Sequence, residues 1–178
     1  MRFPRPPILP AALLALALAS PARATTVSVQ PADTLVTVGD TFTVRIVTDA
    51  VTDLKAFELI FSFDPTRLQL VGADPGDVLT QSGNPYSAFL VPDDAAPADS
   101  AWYDAAMLVG SASGPGILDF FRFKALSIGA SGIQCQAVDF RDSQNDRTLP
   151  DCVSGAAHVA GAVPARRTSW GRVLGCYR

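Results

Sequence analysis

The chain has 178 residues, with 14 basic and 17 acidic side chains, one histidine and three cysteines. A formal net charge of −3 argues against a nucleic-acid partner, because phosphate binding needs a basic patch that displaces counterions. A lone histidine and three scattered cysteines also exclude the zinc sites that need several His or Cys ligands at short spacing.

Arg2 and Arg5 open the chain, Ile8 to Leu18 is an apolar run, and Ala22-Arg23-Ala24 is a small-x-small cleavage site. Together they read as a secretory signal peptide over residues 1–24. The run is too short to span a bilayer, which takes ~20 apolar residues. No later segment is long and apolar enough, so a mature chain starting near Thr25 is expected outside the cell or on its surface, without a membrane span. Without Arg2, Arg5 and Arg23, 11 basic residues face 17 acidic ones, a net charge of −6. Four of those bases, Arg166, Arg167, Arg172 and Arg178, lie in the tail 161–178, which contains no acid. The body, residues 25–160, has the ordinary size of one domain, large enough for a continuous core.

Strands are expected at 26–29, 42–48, 56–63, 68–72, 87–91, 102–109, 118–126, 132–140 and 156–159. Nine short strands between Gly, Pro, Asp and Ser turns predict an all-β fold, an antiparallel β-sandwich with jelly-roll topology. The third is the clearest: Phe57, Leu59, Phe61 and Phe63 occupy every second position and share a core face, leaving Ala56, Glu58, Ile60 and Ser62 on the other. Asp64-Pro65 ends it, since proline donates nothing to a ladder and keeps its predecessor extended. The segment Pro92 to Ser100 reads as a loop because Pro97 would interrupt a helix. Trp102 and Tyr103 are adjacent, so one ring points in and one out; an outward ring could stack on a sugar. In Leu118 to Lys124 the apolar parity changes, which a β-bulge near Phe120 or burial of both faces would explain. Phe121 and Phe123 belong to the core in either case.

Cys135 and Cys152 flank a polar connection at Arg141 to Arg147, so two antiparallel strands joined there would bring them together. In an oxidising compartment a disulfide follows, although two unpaired buried thiols remain the alternative. Cys176 is left over. His158 lies in the last strand with no nucleophile or orienting carboxylate nearby in sequence, and reads as an edge-strand or surface residue. Glu58 is the only glutamate and most aspartates sit at turns, so no catalytic residue is assigned and no enzyme is expected. No cofactor is implied; calcium is the one ion that Asp93, Asp94 and Asp99, or Asp139, Asp142 and Asp146, could approach. In the tail, Trp170, Val173, Leu174 and Tyr177 have helical spacing, with a frayed terminus as the alternative.

Four segments, in order and at similar spacing, resemble the cohesin family of secreted β-sandwich modules. They are Val38-Gly39-Asp40-Thr41-Phe42-Thr43-Val44; Thr52-Asp53-Leu54 with the strand ending in Phe63-Asp64-Pro65; Leu70 to Leu79 with its Pro-Gly-Asp; and Gly116-Ile117-Leu118 through Phe123-Lys124-Ala125. The resemblance covers about Thr26 to Ala160. It implies a non-enzymatic module that binds a dockerin-like protein, with a link to polysaccharide degradation. It also implies a binding face on the strands containing 56–63, 87–91 and 102–109, with Ala56, Glu58, Ile60, Ser62 and Val91 as contacts. Direct binding of an extracellular glycan through Trp102 and Tyr103 is the alternative, and a β-sandwich glycosidase is a more distant one.

Exported protein should therefore have an intact mass that starts near Thr25 and contains the Cys135–Cys152 bridge. Thiol labelling of both cysteines without reductant would disprove the bridge.

Overall fold

A computed structural model describes residues 24–92 and 98–162. The expected signal segment before them, Asp93 and Asp94, and the expected tail helix with Cys176 lie outside the described residues. Twelve strands run in chain order: β1 (Thr26–Gln30), β2 (Asp33–Thr37), β3 (Thr41–Thr48), β4 (Leu54–Phe63), β5 (Leu68–Pro75), β6 (Tyr86–Pro92), β7 (Ser100–Met107), β8 (Gly116–Ala125), β9 (Gly129–Asp142), β10 (Arg147–Thr148), β11 (Asp151–Val153) and β12 (Gly155–Ala160). One short helix, α1 (Asp77–Thr80), lies between β5 and β6.

The strands form two packed sheets, ordered β11-β1-β3-β8-β5 and β2-β12-β9-β4-β7-β6, with β10 paired to β9. The expected β-sandwich is thus present, with twelve strands among the described residues rather than nine. It is not purely antiparallel, because β1 pairs with β11 and β2 with β12 in parallel. The strands missed from the sequence are β2, β10 and β11. They are short and largely exposed, so neither length nor alternation marks them. Pro31 and Ala32 separate β1 in one sheet from β2 in the other, where a proline costs no ladder bond.

The core is built by alternation on β4. Phe57, Leu59, Phe61 and Phe63 are buried, and the intervening residues are half-exposed. Phe61 meets Phe121 edge-on at 5.4 Å between ring centroids, and Phe63 meets Phe123 at 5.2 Å. Such pairs add ~1 kcal/mol each beyond the area they bury. Tyr103 adds a third contact between the sheets, on Phe121. The β8 bulge falls at Leu118, slightly before Phe120: Ile46 pairs with Asp119 and Val47 with Ile117, so Leu118 is the extra residue. Leu118 and Asp119 are both buried as a result.

The Pro75-Gly76-Asp77 segment has a packing reason. A Cβ on Gly76 would lie 2.0 Å from the Ile117 carbonyl oxygen, so only glycine lets α1 sit on β8. The Gly76 amide donates to the Leu118 carbonyl at 3.0 Å, and the Asp77 carboxylate accepts from the Ile117 amide at 2.6 Å. The Cys135–Cys152 bridge is present, with Cα atoms 6.0 Å apart. Its setting differs from the expected hairpin. Cys135 is on β9 and Cys152 on β11, and β11 has crossed to pair with β1, so the bridge joins the two sheets. His158 is exposed at the surface, but β12 is flanked by β2 and β9 and is not an edge strand.

Asp119 is buried, and no hydrogen bond of ordinary geometry reaches either carboxyl oxygen. Burial pushes its pKa up to about 8, against the smaller opposing effects of the Phe120 amide and the nearby Tyr103 hydroxyl. Unfolded, the same carboxyl titrates near 3.9, so between about pH 4 and pH 8 the native state holds a proton that the unfolded chain releases. Stability therefore falls as pH rises through that window, by up to several kcal/mol. Asp119→Asn keeps the shape without the charge and should flatten this slope, gaining stability over the parent mainly at alkaline pH. Denaturant melts at about pH 5 and about pH 9 provide the check; equal slopes for the two proteins would assign the pH dependence to another group.

Candidate functional site

The two outer faces of the sandwich differ in chemistry. Outside the β1-β3-β8-β5 sheet, Thr41, Thr43, Arg45, Arg122 and Lys124 are exposed. Outside the other sheet, large apolar side chains gather on β6 and β7: Phe89 is 61% exposed, Val91 51% and Trp102 52%. Monomeric domains rarely display such a group without a partner to cover it.

Strand register arranges this face in rows. Ile60 on β4 pairs with Trp102 on β7, which pairs with Val91 on β6; on its other side Ile60 pairs with Ala137 on β9. Val91, Trp102, Ile60 and Ala137 thus form one apolar row across four strands. In the neighbouring row Phe89, Asp104, Glu58 and Asp139 stand abreast. Residues directly opposite in an antiparallel pair have Cβ atoms ~5 Å apart, and like charges in that position repel.

The three acids do not have equal surroundings. Asp139 pairs with Arg147 at 2.7 Å and Arg141 at 3.4 Å. No ion pair with Glu58 or Asp104 occurs among the described residues. Burial raises the pKa of Asp104, a direction that opposes its charged form. Below this row Ala56 pairs with Ala106, and the small side chains leave an open hollow of about 280 Å3 walled by Glu58, Asp104, Phe89 and Arg141.

The expected contacts Ala56, Glu58, Ile60 and Ser62 all lie on this outer face, with Val91 two strands away. Ser62 accepts a hydrogen bond from the Gln136 side chain at 2.6 Å. Trp102 points out, whereas Tyr103 is 2% exposed and packs on Phe57 and Phe121. The pair therefore cannot form a sugar platform, since alternation places the two rings on opposite sides of β7. Phe89 and Asp104 were missed from the sequence, and Asp139 was singled out only as a possible calcium ligand. Alternation within each strand marks them as outward, but only register aligns them with Glu58. Among the described residues no three His, Cys, Asp or Glu side chains converge on a possible metal position. Asp142 instead accepts the Gln144 and Asp146 amides within its turn, and His158 lies 3.6 Å from Asp33 on the surface.

Comparison with known proteins gives a consistent result. The sequence profile of the cohesin domain matches residues 25–140. No curated protein matches the chain. Among solved structures, a non-cellulosomal cohesin from the archaeon Archaeoglobus fulgidus superposes with a TM-score of 0.61 at 13% identity, over 77% of this chain and 91% of that one. The sixth cohesin of Acetivibrio cellulolyticus scaffoldin B, solved with a Cel5 dockerin mutant, gives 0.63 at 14% identity over 77% and 99%. A type II cohesin from the same organism's cellulosome gives 0.61 at 17% identity over 75% and 95%. At these identities the likeness is one of fold.

The facing of β7 can be tested directly. Trp102→Ala should change stability by no more than ~0.5 kcal/mol, as for other exposed positions. Tyr103→Ala should cost ~3 kcal/mol or more, because it opens a cavity between the sheets. Urea melts distinguish these outcomes, and the reverse order would show that the two faces are exchanged.

Proposed function

Since this chain belongs to the cohesin domain family, we propose that it is a non-enzymatic binding module whose partner is a dockerin-type helical protein module. The observation that carries this reading is the apolar row Val91, Trp102 and Ile60 on the outer sheet face. A helix laid across such strands covers apolar residues on three of them at once, and hydrophobic burial supplies most of the association energy. Contacts fall on Ala56, Glu58, Ile60, Ser62 and Val91, joined by Trp102. Exposed Trp side chains near the centre of a patch are common binding hot spots.

Direct glycan binding has less support. With Tyr103 buried, the exposed rings on this face are Trp102 and Phe89, and the branched side chains of Val91 and Ile60 share the surface with them. Hydrolysis has less still, because the one histidine pairs with Ala130, far along β9 from the Asp139 and Arg141 that line the hollow, and Asp139 is held by two arginines. The signal-peptide reading of the first 24 residues supports a location outside the cell or on its surface.

Ile60→Asp should abolish measurable binding of dockerin modules encoded in the same genome and leave the melt unchanged. A charge covered by an apolar partner is left desolvated, at a cost of several kcal/mol. Glu58→Ala should weaken binding by about tenfold, the order of one lost charged hydrogen bond. Titration calorimetry measures both. Unchanged affinity in the two variants would move the site elsewhere, and a collapsed melt for Ile60→Asp would reverse the facing of β4.

A further inference from the structure

We infer that an apolar mouth at one end of the sandwich is the docking site for this chain's own segment 163–178, with Trp170 as the side chain that enters it. The mouth lies where β4 ends and β7 begins in one sheet, against the start of β5 and the end of β8 in the other. It is separate from the outer face that carries Trp102. The hollow there measures about 350 Å3 and is lined chiefly by Phe63, Pro65, Leu68, Leu70, Ala98 and Leu126. Phe63 meets Phe123 edge-on, so the hollow opens directly onto the aromatic core. Leu126 at its rim is exposed, as are Ile128 and Val38 close by. An apolar opening of this kind leaves in water the surface that folding ordinarily removes from it.

The chain leaves the described fold at this same end. β12 ends at Ala160, whose carbonyl accepts the Val38 amide at 3.0 Å, and the next residue, Gly39, donates to the Ala125 carbonyl at 2.8 Å. A Cβ on Gly161 would lie 3.3 Å from the Ile128 side chain, and Ile128 is two residues from Leu126, a span of at most ~7 Å. Trp170 stands eight residues beyond Ala162 and can reach up to ~26 Å from it, so the hollow is well within range. The chemistry of the segment also fits. Trp170, Val173, Leu174 and Tyr177 have the spacing of one helix face. Four arginines and no acid lie in 161–178, whereas the body 25–160 has seven basic residues against 17 acidic ones. Exposed Asp99 adjoins Ala98, and exposed Asp40 adjoins the Gly39–Ala125 contact. Neither has an ion pair among the described residues, which leaves carboxylates at the rim for the arginines around Trp170.

The test uses the full chain in a Trp102→Phe background, where Trp170 is the one tryptophan. A synthetic peptide of residues 163–178 gives the reference for full exposure to solvent. Docked, Trp170 emits to the blue of the peptide and resists quenching by acrylamide. Leu126→Asp sets a charge at the mouth that docking would desolvate, and should bring both readings to the peptide's values. Ile128→Asp lies at an exposed position between β8 and β9 and should move them the same way. Ile60→Asp, on the outer face, should leave them unchanged. Thermal melts show which variants are folded, and if Leu126→Asp loses its transition, Ile128→Asp decides. Readings equal to the peptide's in the parent chain, or protection that survives the folded mouth variants, would overturn the inference. So would release by Ile60→Asp, which would put the segment on the outer face. Protection that fades on dilution would overturn it too, by identifying a second copy of this chain as the source of the segment.

Discussion

The packing of the β4 phenylalanines against those of β8 is the interaction on which the rest of the molecule depends. Phe61 on Phe121 and Phe63 on Phe123 lock the two sheets together at the centre of the core. Each fully buried ring contributes ~2–3 kcal/mol of transfer energy, so rotating β4 to its other face would lose the core. The same alternation that buries Phe57, Leu59, Phe61 and Phe63 forces Ala56, Glu58, Ile60 and Ser62 outward. The candidate binding face is therefore a geometric consequence of the core, and a one-residue slip would destroy both.

Several features accommodate this central packing. The Leu118 bulge lets β8 present Phe121 and Phe123 inward while its first residues turn to meet α1. Gly76 brings α1 against the β8 backbone, and Leu79 is buried there. The bridge between β9 and β11 ties one sheet to the other away from the aromatic cluster. Closing a loop of that length adds on the order of 3 kcal/mol in the chain-entropy view.

Two arrangements run against stability. Asp119 is buried without a formed hydrogen bond, opposite a Tyr103 hydroxyl that also lacks one, and such groups weaken a fold unless they are satisfied. Glu58 and Asp104 stand opposite one another on neighbouring strands at the edge of an apolar surface, a position in which like charges weaken a sheet. The second lies on the exposed outer face of the sheet, and conflicts with local stability tend to concentrate where function requires them. The first lies in the core, where no partner reaches, and its effect is on the pH range over which the sandwich holds.

The class of fold and the facing of the clearest strand were legible in the residues alone. Period-two alternation is a local property, and burying four phenylalanines leaves β4 no other orientation. The Cys135–Cys152 pairing was legible for the same kind of reason, from chain proximity, although the expected hairpin was wrong because β11 crosses to the opposite sheet. Short exposed strands such as β2 and β11 were not legible, since parallel pairing joins residues far apart in the chain and leaves no periodic mark. Tyr103 against Trp102 could be divided into one inward and one outward ring, but not assigned. Which ring is covered, and the position of Asp104 and Asp139 beside Glu58, emerged with the assembled sheets, because register between strands is fixed by the packing of the whole core and not by any one strand's own residues.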